Sequence, residues 1–201
     1  MISHIIFDLS EVYVRGLPGI EAKIAARTGI PEEEVYRHLR GEKSEFLVKL
    51  FKAQITENQY WQLVKKEGNY RVSLNWLKKT IRDNFTEIQG TRQIIEKLGE
   101  RFPLTLLTDH AREWVDNIRE RYPIEDLFAR IYCSFNTGYV KLERRCFDHV
   151  LASLAADPET TLYIDDAAKN LKVARRAGIK NLHQFTTPEN LEAELQKLKL
   201  L

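Results

Sequence analysis

Cysteine is scarce in this sequence, which holds only Cys133 and Cys146. Both lie in apolar surroundings, and two thiols are too few for a disulfide framework. A zinc site is disfavoured as well, because its ligands are further Cys or His residues at short spacing. We therefore expect two buried, reduced thiols, as in a cytoplasmic protein.

Long apolar runs and an excess of charge of one sign are also missing. No segment approaches the ~18 apolar residues of a membrane span, and the N-terminus has no basic region followed by a long apolar stretch. The 31 Lys and Arg residues nearly balance 29 Asp and Glu residues, leaving a formal charge of +2. This balance favours neither nucleic acid nor a lipid surface as a partner. Whether the protein is a monomer or a homodimer stays open.

What is present is a series of short apolar runs separated by segments with helical spacing. Continuous apolar runs are typical of strands buried on both faces, as in a parallel sheet covered by helices. The runs lie at 4–8, 103–109, 130–135, 161–166 and 181–185, and helical spacing occurs at 91–102, 113–122, 145–155 and 170–178. The alternation predicts an α/β fold with a doubly wound parallel sheet. The 201 residues suit one core domain that carries an inserted subdomain.

Residues 16–84 break this alternation, because they have the pattern of consecutive helices with no strand between them. Pro31 is at a favoured first-turn position of one helix, and Ser44 and Thr56 are candidate N-caps of two others. The sequence thus predicts a helical insertion between the first strand and the rest of the sheet.

Polar side chains with catalytic potential follow several of the predicted strands. Because the carboxyl ends of parallel strands meet at one crevice, we expect these side chains to lie close together. A carboxylate, a hydroxyl, a lysine and an acidic pair are the groups that metal-assisted phosphoryl transfer through an aspartyl intermediate requires. The candidates are Asp8, Thr108, Asp109, Lys141, Asp165, Asp166 and Asn170.

Four segments in this order resemble the motifs of the haloacid dehalogenase-like (HAD) hydrolase superfamily. They are "IIFDLSEVYV", "TLLTDH", "GYVKLERRCFDHVL" with Lys141, and "LYIDDAAKN". The chain is most similar to subfamily IA, whose small helical cap follows the first strand, and to members that resemble sugar-1-phosphate phosphatases. The resemblance implies a Rossmann-like core at 1–15 and 85–201 and a helical cap subdomain at 16–84.

The resemblance also implies roles for the residues of the first and fourth motifs. Asp8 would be the nucleophile that forms an aspartyl-phosphate. Mg²⁺ would be held by the Asp8 carboxylate, the backbone carbonyl of Ser10 and Asp166, with Asp165 acting through water and Asn170 orienting that shell. A sparse set of oxygen ligands suits Mg²⁺ better than zinc.

Roles for the second and third motifs follow in the same way. Thr108 would donate its hydroxyl and backbone N–H to the phosphoryl oxygens, and Lys141 would neutralise charge between the phosphate and Asp8. A nearby cation lowers a carboxylate pKa, so we expect Lys141 to keep Asp8 ionised. Asp109 stands where this branch often has Asn, either beside the phosphate or facing the start of the next helix.

Ser10 departs from the pattern, because many phosphatases of this superfamily have a second Asp there. That Asp protonates the leaving oxygen and then deprotonates the attacking water. Serine is too weak an acid for this exchange, and loss of a general acid–base group costs ~10²- to 10⁴-fold in rate. Glu11 and His110 are the nearest substitutes, but we expect Glu11 to point away and His110 to lie at the surface. Leu142 replaces the usual Pro after the lysine.

The leading interpretation is a Mg²⁺-dependent phosphatase of a small phosphorylated metabolite, with sugar phosphates among the candidates. The main alternative is a weakened or inactive binding or regulatory protein that retains phosphate and metal binding, because Ser10 replaces an acid. A dehalogenase is disfavoured by the intact acidic pair, since that reaction needs no metal. A phosphomutase is disfavoured by the same serine.

Overall fold

The computed structural model describes residues 1–41 and 45–201, which form an α/β fold around one sheet. The strands are β1 (His4–Phe7), β2 (Leu104–Thr108), β3 (Arg130–Cys133), β4 (Thr161–Asp165) and β5 (Asn181–Gln184). All pairings are parallel, in the order β3-β2-β1-β4-β5. The predicted strands and the doubly wound, Rossmann-like arrangement are confirmed. No helix in the described part of the chain is long and apolar enough to cross a membrane.

The helices fall into a group before β2 and a group that alternates with the later strands. The first group is α1 (Ile20–Thr28), α2 (Glu32–Arg40), α3 (Glu45–Phe51), α4 (Glu57–Glu67), α5 (Leu74–Asn84) and α6 (Thr91–Gly99). The second is α7 (Arg112–Arg121), a 3₁₀ turn (Ile124–Asp126), α8 (Ser134–Thr137), α9 (Arg144–Leu154), α10 (Ala168–Arg176) and α11 (Pro188–Lys197). We call α1–α5 the helical insertion; its boundaries at 16 and 84 stay a prediction.

The central strands β2, β1 and β4 are mostly apolar because both faces of the sheet are covered there, while the edge strands β3 and β5 are more polar and partly exposed. Successive side chains of a strand point to opposite faces, so Ile5 and Phe7 join one apolar cluster and Ile6 joins another. Phe147 of α9 and Val173 of α10 line the second cluster. Cys133 and Cys146 are buried and free, as predicted.

The helical insertion shares an apolar cluster with the sheet. Its buried side chains, among them Leu39, Tyr60 and Trp61, belong to the same apolar cluster as Ile5 and Phe7. Burial of apolar area is the dominant stabilising contribution in folding. The insertion and the sheet therefore stabilise each other through a shared core.

Polar contacts join the insertion to helices that flank the sheet. The buried Glu57 carboxylate of α4 accepts the indole N–H of Trp114 on α7 at 2.9 Å and a guanidinium N–H of Arg82 at 2.6 Å. Lys52, just after α3, pairs with Glu143 at 2.7 Å. A buried carboxylate must be paired to be tolerated, so Glu57 specifies this docking.

Local signals explain where some helices begin. Thr56 caps α4, because its Oγ1 accepts the Gln59 N–H at 3.2 Å while the Gln59 side chain accepts the Thr56 N–H at 2.8 Å, a capping box. Pro31 is the N-cap of α2 with extended backbone and so lies just before the first turn, not within it. The cap predicted at Ser44 lies outside the described residues. The Ser73 cap of α5 was not predicted.

The two connections between the insertion and the sheet run side by side. The Arg15 N–H donates to the Thr86 carbonyl at 2.8 Å, and the Ile88 N–H donates to the Tyr13 carbonyl at 2.8 Å. Val14 and Glu87 pair antiparallel between them. The connections thus form a short two-stranded ribbon next to the end of β1.

Candidate active site

Three carboxylates meet where the ends of β1 and β4 lie side by side. Phe7 pairs with Ile164, so Asp8 follows β1 at the level where Asp165 ends β4. After β1 the chain continues to β2 on one side, and after β4 it continues to β5 on the other side. Ligands of open α/β sheets bind in the crevice where the strand order reverses in this way. Ligand oxygens of Asp8, Asp165 and Asp166 lie within 4.8 Å of one another.

Lys141 joins this group from the loop before α9. Its ammonium lies 2.7 Å from Asp8 Oδ2 and 2.8 Å from Asp165 Oδ2, and the side chain is buried. Charge-assisted hydrogen bonds of this length are among the stronger polar contacts in proteins. The lysine therefore holds the two carboxylates in a fixed geometry.

Asp109 holds the backbone of the lysine loop. The Lys141 N–H donates to Asp109 Oδ2 at 2.9 Å and to Oδ1 at 3.1 Å. The N-cap of α7 is Ala111, and no side chain caps the start of this helix. The hypothesis that Asp109 faces the helix start is therefore wrong, and its predicted part in phosphate binding stays a prediction.

Asp165 is surrounded by donors besides Lys141. Asn170 Nδ2 lies 3.1 Å from both of its oxygens, the Ala167 N–H donates to Oδ1 at 2.8 Å, and the Tyr163 hydroxyl donates to Oδ2. Asn170 is thus in contact with the residue that it was predicted to orient. Tyr163 was missed, although its place two residues before Asp165 puts both side chains on one face of the strand.

Burial dominates the electrostatics of the carboxylates. It raises the pKa of Asp8 well above the ordinary 3.8; Lys141 acts in the opposite direction, and the charge of Asp165 adds to the rise. Lys141 thus lowers the pKa of Asp8 as expected, but burial has the larger effect. Burial and then Asp165 raise the pKa of Asp166 to about 6.

The balance of charge in the cluster shows what it could hold. Burial acts to lower the pKa of Lys141, but the charges of Asp165 and Asp8 outweigh it and raise the pKa above its ordinary value. One ammonium faces three carboxylates, and all nearby ligand atoms are oxygens. Hard divalent cations such as Mg²⁺ bind such oxygen sets. The residues present therefore fit the predicted metal.

Thr108 offers an unused hydroxyl at the end of β2. The side chain is fully buried, and its Oγ1 has no hydrogen-bond partner among the described residues. A buried hydroxyl without a partner is costly, so such groups call for an explanation. An oxyanion bound beside Asp8, on the neighbouring strand, would supply the missing acceptor.

Ser10 is hydrogen-bonded to His110, which sequence reasoning placed at the surface. Ser10 Oγ lies 2.7 Å from His110 Nε2, and His110 is only 2% exposed. The surface interpretation is wrong because three rings enclose the imidazole: Phe85, Trp114 and Phe51, at centroid distances of 5.4, 5.8 and 6.2 Å. Two of them lie at or next to the insertion, far from His110 in sequence.

The imidazole of His110 is poorly suited to carry charge. Burial, followed by the nearby charge of Lys141, lowers the pKa of His110 to about 3. Its Nδ1 has no hydrogen-bond partner among the described residues. His110 is therefore neutral at physiological pH.

The Glu11 carboxylate is bound by groups outside the acidic cluster. Its backbone has a positive φ of 58°, and its carboxylate accepts the Gly16 N–H at 2.6 Å and pairs with Arg15 at 3.6 Å. Glu11, Arg15 and Asp166 line a cavity of about 410 Å³ at the edge of the cluster. Leu142, in place of the usual Pro, is 50% exposed beside the buried Lys141.

Comparison with known families agrees with this geometry. A family model described as haloacid dehalogenase-like hydrolase matches residues 5–183. The chain belongs to this family. This HAD-like hydrolase is 23% identical over 126 residues to flavin mononucleotide hydrolase 1 of Arabidopsis thaliana. The match covers 62% of the chain and 51% of the relative, so the chain spans about half the length of that protein.

Solved structures share the fold of this HAD-like hydrolase over nearly its whole length. A HAD family enzyme from Bacteroides thetaiotaomicron, in complex with magnesium and inorganic phosphate, has a TM-score of 0.78 at 19% identity, covering 93% of this chain and 96% of that one. A HAD-like family hydrolase from Porphyromonas gingivalis has a TM-score of 0.80 at 19% identity, covering 99% and 98%. At such identities the likeness shows the fold alone.

Proposed function

We propose that this HAD-like hydrolase is a Mg²⁺-dependent phosphatase of small phosphorylated metabolites, which acts through an aspartyl-phosphate on Asp8. The observation that carries the proposal is the ammonium of Lys141, held at 2.7 Å from Asp8 and 2.8 Å from Asp165 in a buried carboxylate cluster. The magnesium and phosphate bound by the Bacteroides enzyme support it, as does the hydrolase activity in the name of the Arabidopsis relative.

The metal would be held by the Asp8 carboxylate, the Ser10 backbone carbonyl and Asp166, with Asp165 behind them. When bound, Mg²⁺ would offset negative charge on the phosphoryl group and on the nucleophile. Asp165 is well placed for an indirect role, because Lys141 and Asn170 already occupy its oxygens.

The chain's own residues would do the rest of the chemistry. Asp8 is oriented by the Leu9 N–H, which donates to Oδ1 at 2.7 Å, and by Lys141 at Oδ2. An Asp8 oxygen would attack phosphorus while Thr108 donates its hydroxyl to a phosphoryl oxygen. Lys141 would offset the charge that builds up between phosphate and nucleophile. Water would then hydrolyse phospho-Asp8.

The site is closed in this conformation, which bears on substrate size. Asp8 and Lys141 are each 3% exposed, and Thr108 is fully buried. A substrate would need the helical insertion to move away from the sheet, as lids over active sites do. The substrate would therefore be a small phosphorylated compound, such as a sugar phosphate. The helical insertion would enclose it as a cap. The two free, buried thiols support the cytoplasm as its compartment.

A binding or regulatory protein is the second candidate, and the observation that favours it is Ser10. A neutral Ser10–His110 pair stands where a general acid–base is usual. Loss of that group slows phosphoryl transfer but leaves attack and phosphate binding intact. A dehalogenase is less favoured, because that reaction needs no metal and the acidic pair Asp165 and Asp166 is retained.

Phosphate release from a panel of sugar phosphates and p-nitrophenyl phosphate, with Mg²⁺ or EDTA, tests the proposal. We expect metal-dependent turnover that Asp8→Asn lowers by at least ~10⁴-fold, the order of loss when a covalent nucleophile is removed. Turnover that survives Asp8→Asn would come from a contaminant. A folded protein that binds Mg²⁺ and phosphate without turnover would favour the binding protein.

A further inference from the structure

By its resemblance to the family, Ser10 is the position that would face a leaving group, and it carries a hydroxyl where many members have a carboxyl. Ser10 is the second residue after Asp8, and its Oγ lies 2.7 Å from His110 Nε2. Ser10 and His110 reach each other because β1 and β2 are neighbours in the sheet. The hydroxyl is thus held in one place by a buried ring.

The hydrogen-bond pattern assigns the proton on the imidazole. Nδ1 of His110 is buried and has no partner among the described residues. A buried N–H without an acceptor is rarer than an unpaired lone pair, so the proton is assigned to Nε2. His110 then donates to Ser10 Oγ, and the hydroxyl hydrogen of Ser10 is left for another acceptor. Ser10 can therefore donate a hydrogen bond to a substrate oxygen.

Nearby carboxyl groups do not replace the missing acid. Glu11 is engaged by the Gly16 N–H and Arg15, and Asp109 is engaged by the Lys141 N–H through both oxygens. Asp165 accepts from Lys141 and other donors, and Asp166 belongs to the proposed metal set. Among the described residues, the site offers a leaving oxygen a hydrogen bond but no acid positioned to protonate it.

We propose that this site is selective for phosphoryl compounds whose leaving group departs as a stable anion: aryl phosphates, acyl phosphates and phosphoanhydrides. Simple alkyl phosphates are poor substrates, because an alkoxide needs a proton as it leaves. A sugar phosphate linked through its anomeric oxygen is a better substrate than one linked through a primary alcohol. The inference rests on the proposed phosphatase function and narrows its substrate class.

The reaction balances without a protein acid. An oxygen of Asp8 bonds to phosphorus, and the bond from phosphorus to the leaving oxygen breaks with its electron pair on that oxygen. The anion accepts a hydrogen bond from Ser10 and takes its proton from solvent. Water then attacks the phosphorus of phospho-Asp8, the bond to Asp8 breaks, and the carboxylate is restored. Inorganic phosphate keeps the oxygen of that water, and the proton left over goes to solvent.

A leaving-group series tests the proposal with the full-length protein and Mg²⁺. The probes are phenyl phosphates with ring substituents that vary the leaving-group pKa, together with benzyl phosphate as an alkyl ester of similar size. The quantity compared is kcat/KM, which reports the first transfer step. We expect kcat/KM to fall steeply along the series, with benzyl phosphate ~10²- to 10⁴-fold below phenyl phosphate, the range that a general acid contributes.

Ser10→Asp is the matched variant, because it restores a carboxyl group at this position. Gly16 packs closely against Ser10, because a Cβ on Gly16 would lie 3.0 Å from Ser10 Oγ, so the larger carboxyl group must displace its neighbours slightly. The variant is expected to raise kcat/KM for benzyl phosphate by ~10²-fold or more and to flatten the dependence on leaving-group pKa. A thermal melt checks that the variant folds.

The outcomes separate this inference from the proposed function. If the wild-type protein hydrolyses benzyl and phenyl phosphate at similar kcat/KM, the inference is overturned while the phosphatase function stands. If no member gives Asp8-dependent turnover, the inference is overturned, and the proposed function is overturned as well if the sugar phosphates give none. A steep wild-type dependence supports the inference even if Ser10→Asp does not fold, and a steep dependence that a folded Ser10→Asp leaves unchanged contradicts it.

Discussion

The two halves of the candidate site differ in charge and in what holds them. The charged half (Asp8, Lys141, Asp165 and Asp166) is an ionic cluster built on the ends of β1 and β4 and the loop before α9. The neutral half (Ser10 and His110) is one hydrogen bond inside a cage of aromatic rings. Phe51 of that cage belongs to the helical insertion. The proposed nucleophilic attack would thus depend on the sheet, while the proposed leaving-group side would also depend on the insertion.

Lys141→Met tests the charged half and, after Asp8→Asn, is expected to have the largest effect. Losing the cation removes stabilisation of developing charge, so kcat/KM falls by ~10²- to 10³-fold, as when one preorganised donor is lost. Steady-state kinetics with p-nitrophenyl phosphate measures this. Lys180→Met is the control, because Lys180 is an exposed lysine that is also paired with a carboxylate, Glu159. A fall below tenfold for Lys141→Met would show that the cluster is not the reacting centre.

His110→Leu tests the neutral half, where the expected effect is smaller. Removing the bond that orients Ser10 costs about 1 kcal/mol, so kcat/KM falls by about tenfold or less. The control is His149→Leu, which changes an exposed histidine on α9. A loss as large as that of Lys141→Met, in a folded protein, would mean that His110 moves protons and would remove the contrast between the halves.

Asp109→Asn tests the electrostatics beside the charged half, through the pH dependence of the free energy of unfolding. Burial is the main cause that raises the pKa of Asp109 from 3.8 to about 6, so the folded state binds this proton more tightly than the unfolded state does. Stability from this group is therefore present at low pH and is lost as the pH rises from about 4 through about 6.

The Asn variant cannot ionise and escapes that loss. Relative to wild type, its free energy of unfolding should rise by about 1 kcal/mol between about pH 5 and about pH 8. Urea unfolding at the two pH values measures this. A difference between variant and wild type that does not change with pH would show that Asp109 keeps an ordinary pKa in the folded protein.

Lys52→Met has the smallest expected effect, because its bond to Glu143 is partly open to solvent. Such a pair contributes about 0.2–1 kcal/mol, so we expect a slightly lower Tm and a change in KM of about fivefold or less. Lys49→Met, which breaks a pair within α3, is the control. If both variants behave alike, the pair between insertion and sheet has no special part in closing the site.

The sheet and the charged half were predictable from the sequence, because their signals are local. Apolar runs marked each strand, and Asp8 and Asp165 mark strand ends that parallel pairing brings together. His110 was misplaced for the opposite reason. Its position just after a strand is also typical of a surface residue, and nothing near it in sequence announces that Phe51 and Phe85 will cover it. Contacts between segments that are distant in sequence cannot be predicted from the local pattern of apolar and polar residues.

The central position of β1 has a consequence for how the chain folds. Ile5 pairs with Leu104 on one side and with Leu162 on the other, so β1 can pair only after the much later segments β2 and β4 have been made. Closing such long loops carries an entropic cost, and non-local pairing slows folding. The helices of the insertion emerge in the meantime and can form from local contacts. The sheet, and the site at the ends of its strands, are therefore expected to form late in the folding of the nascent chain.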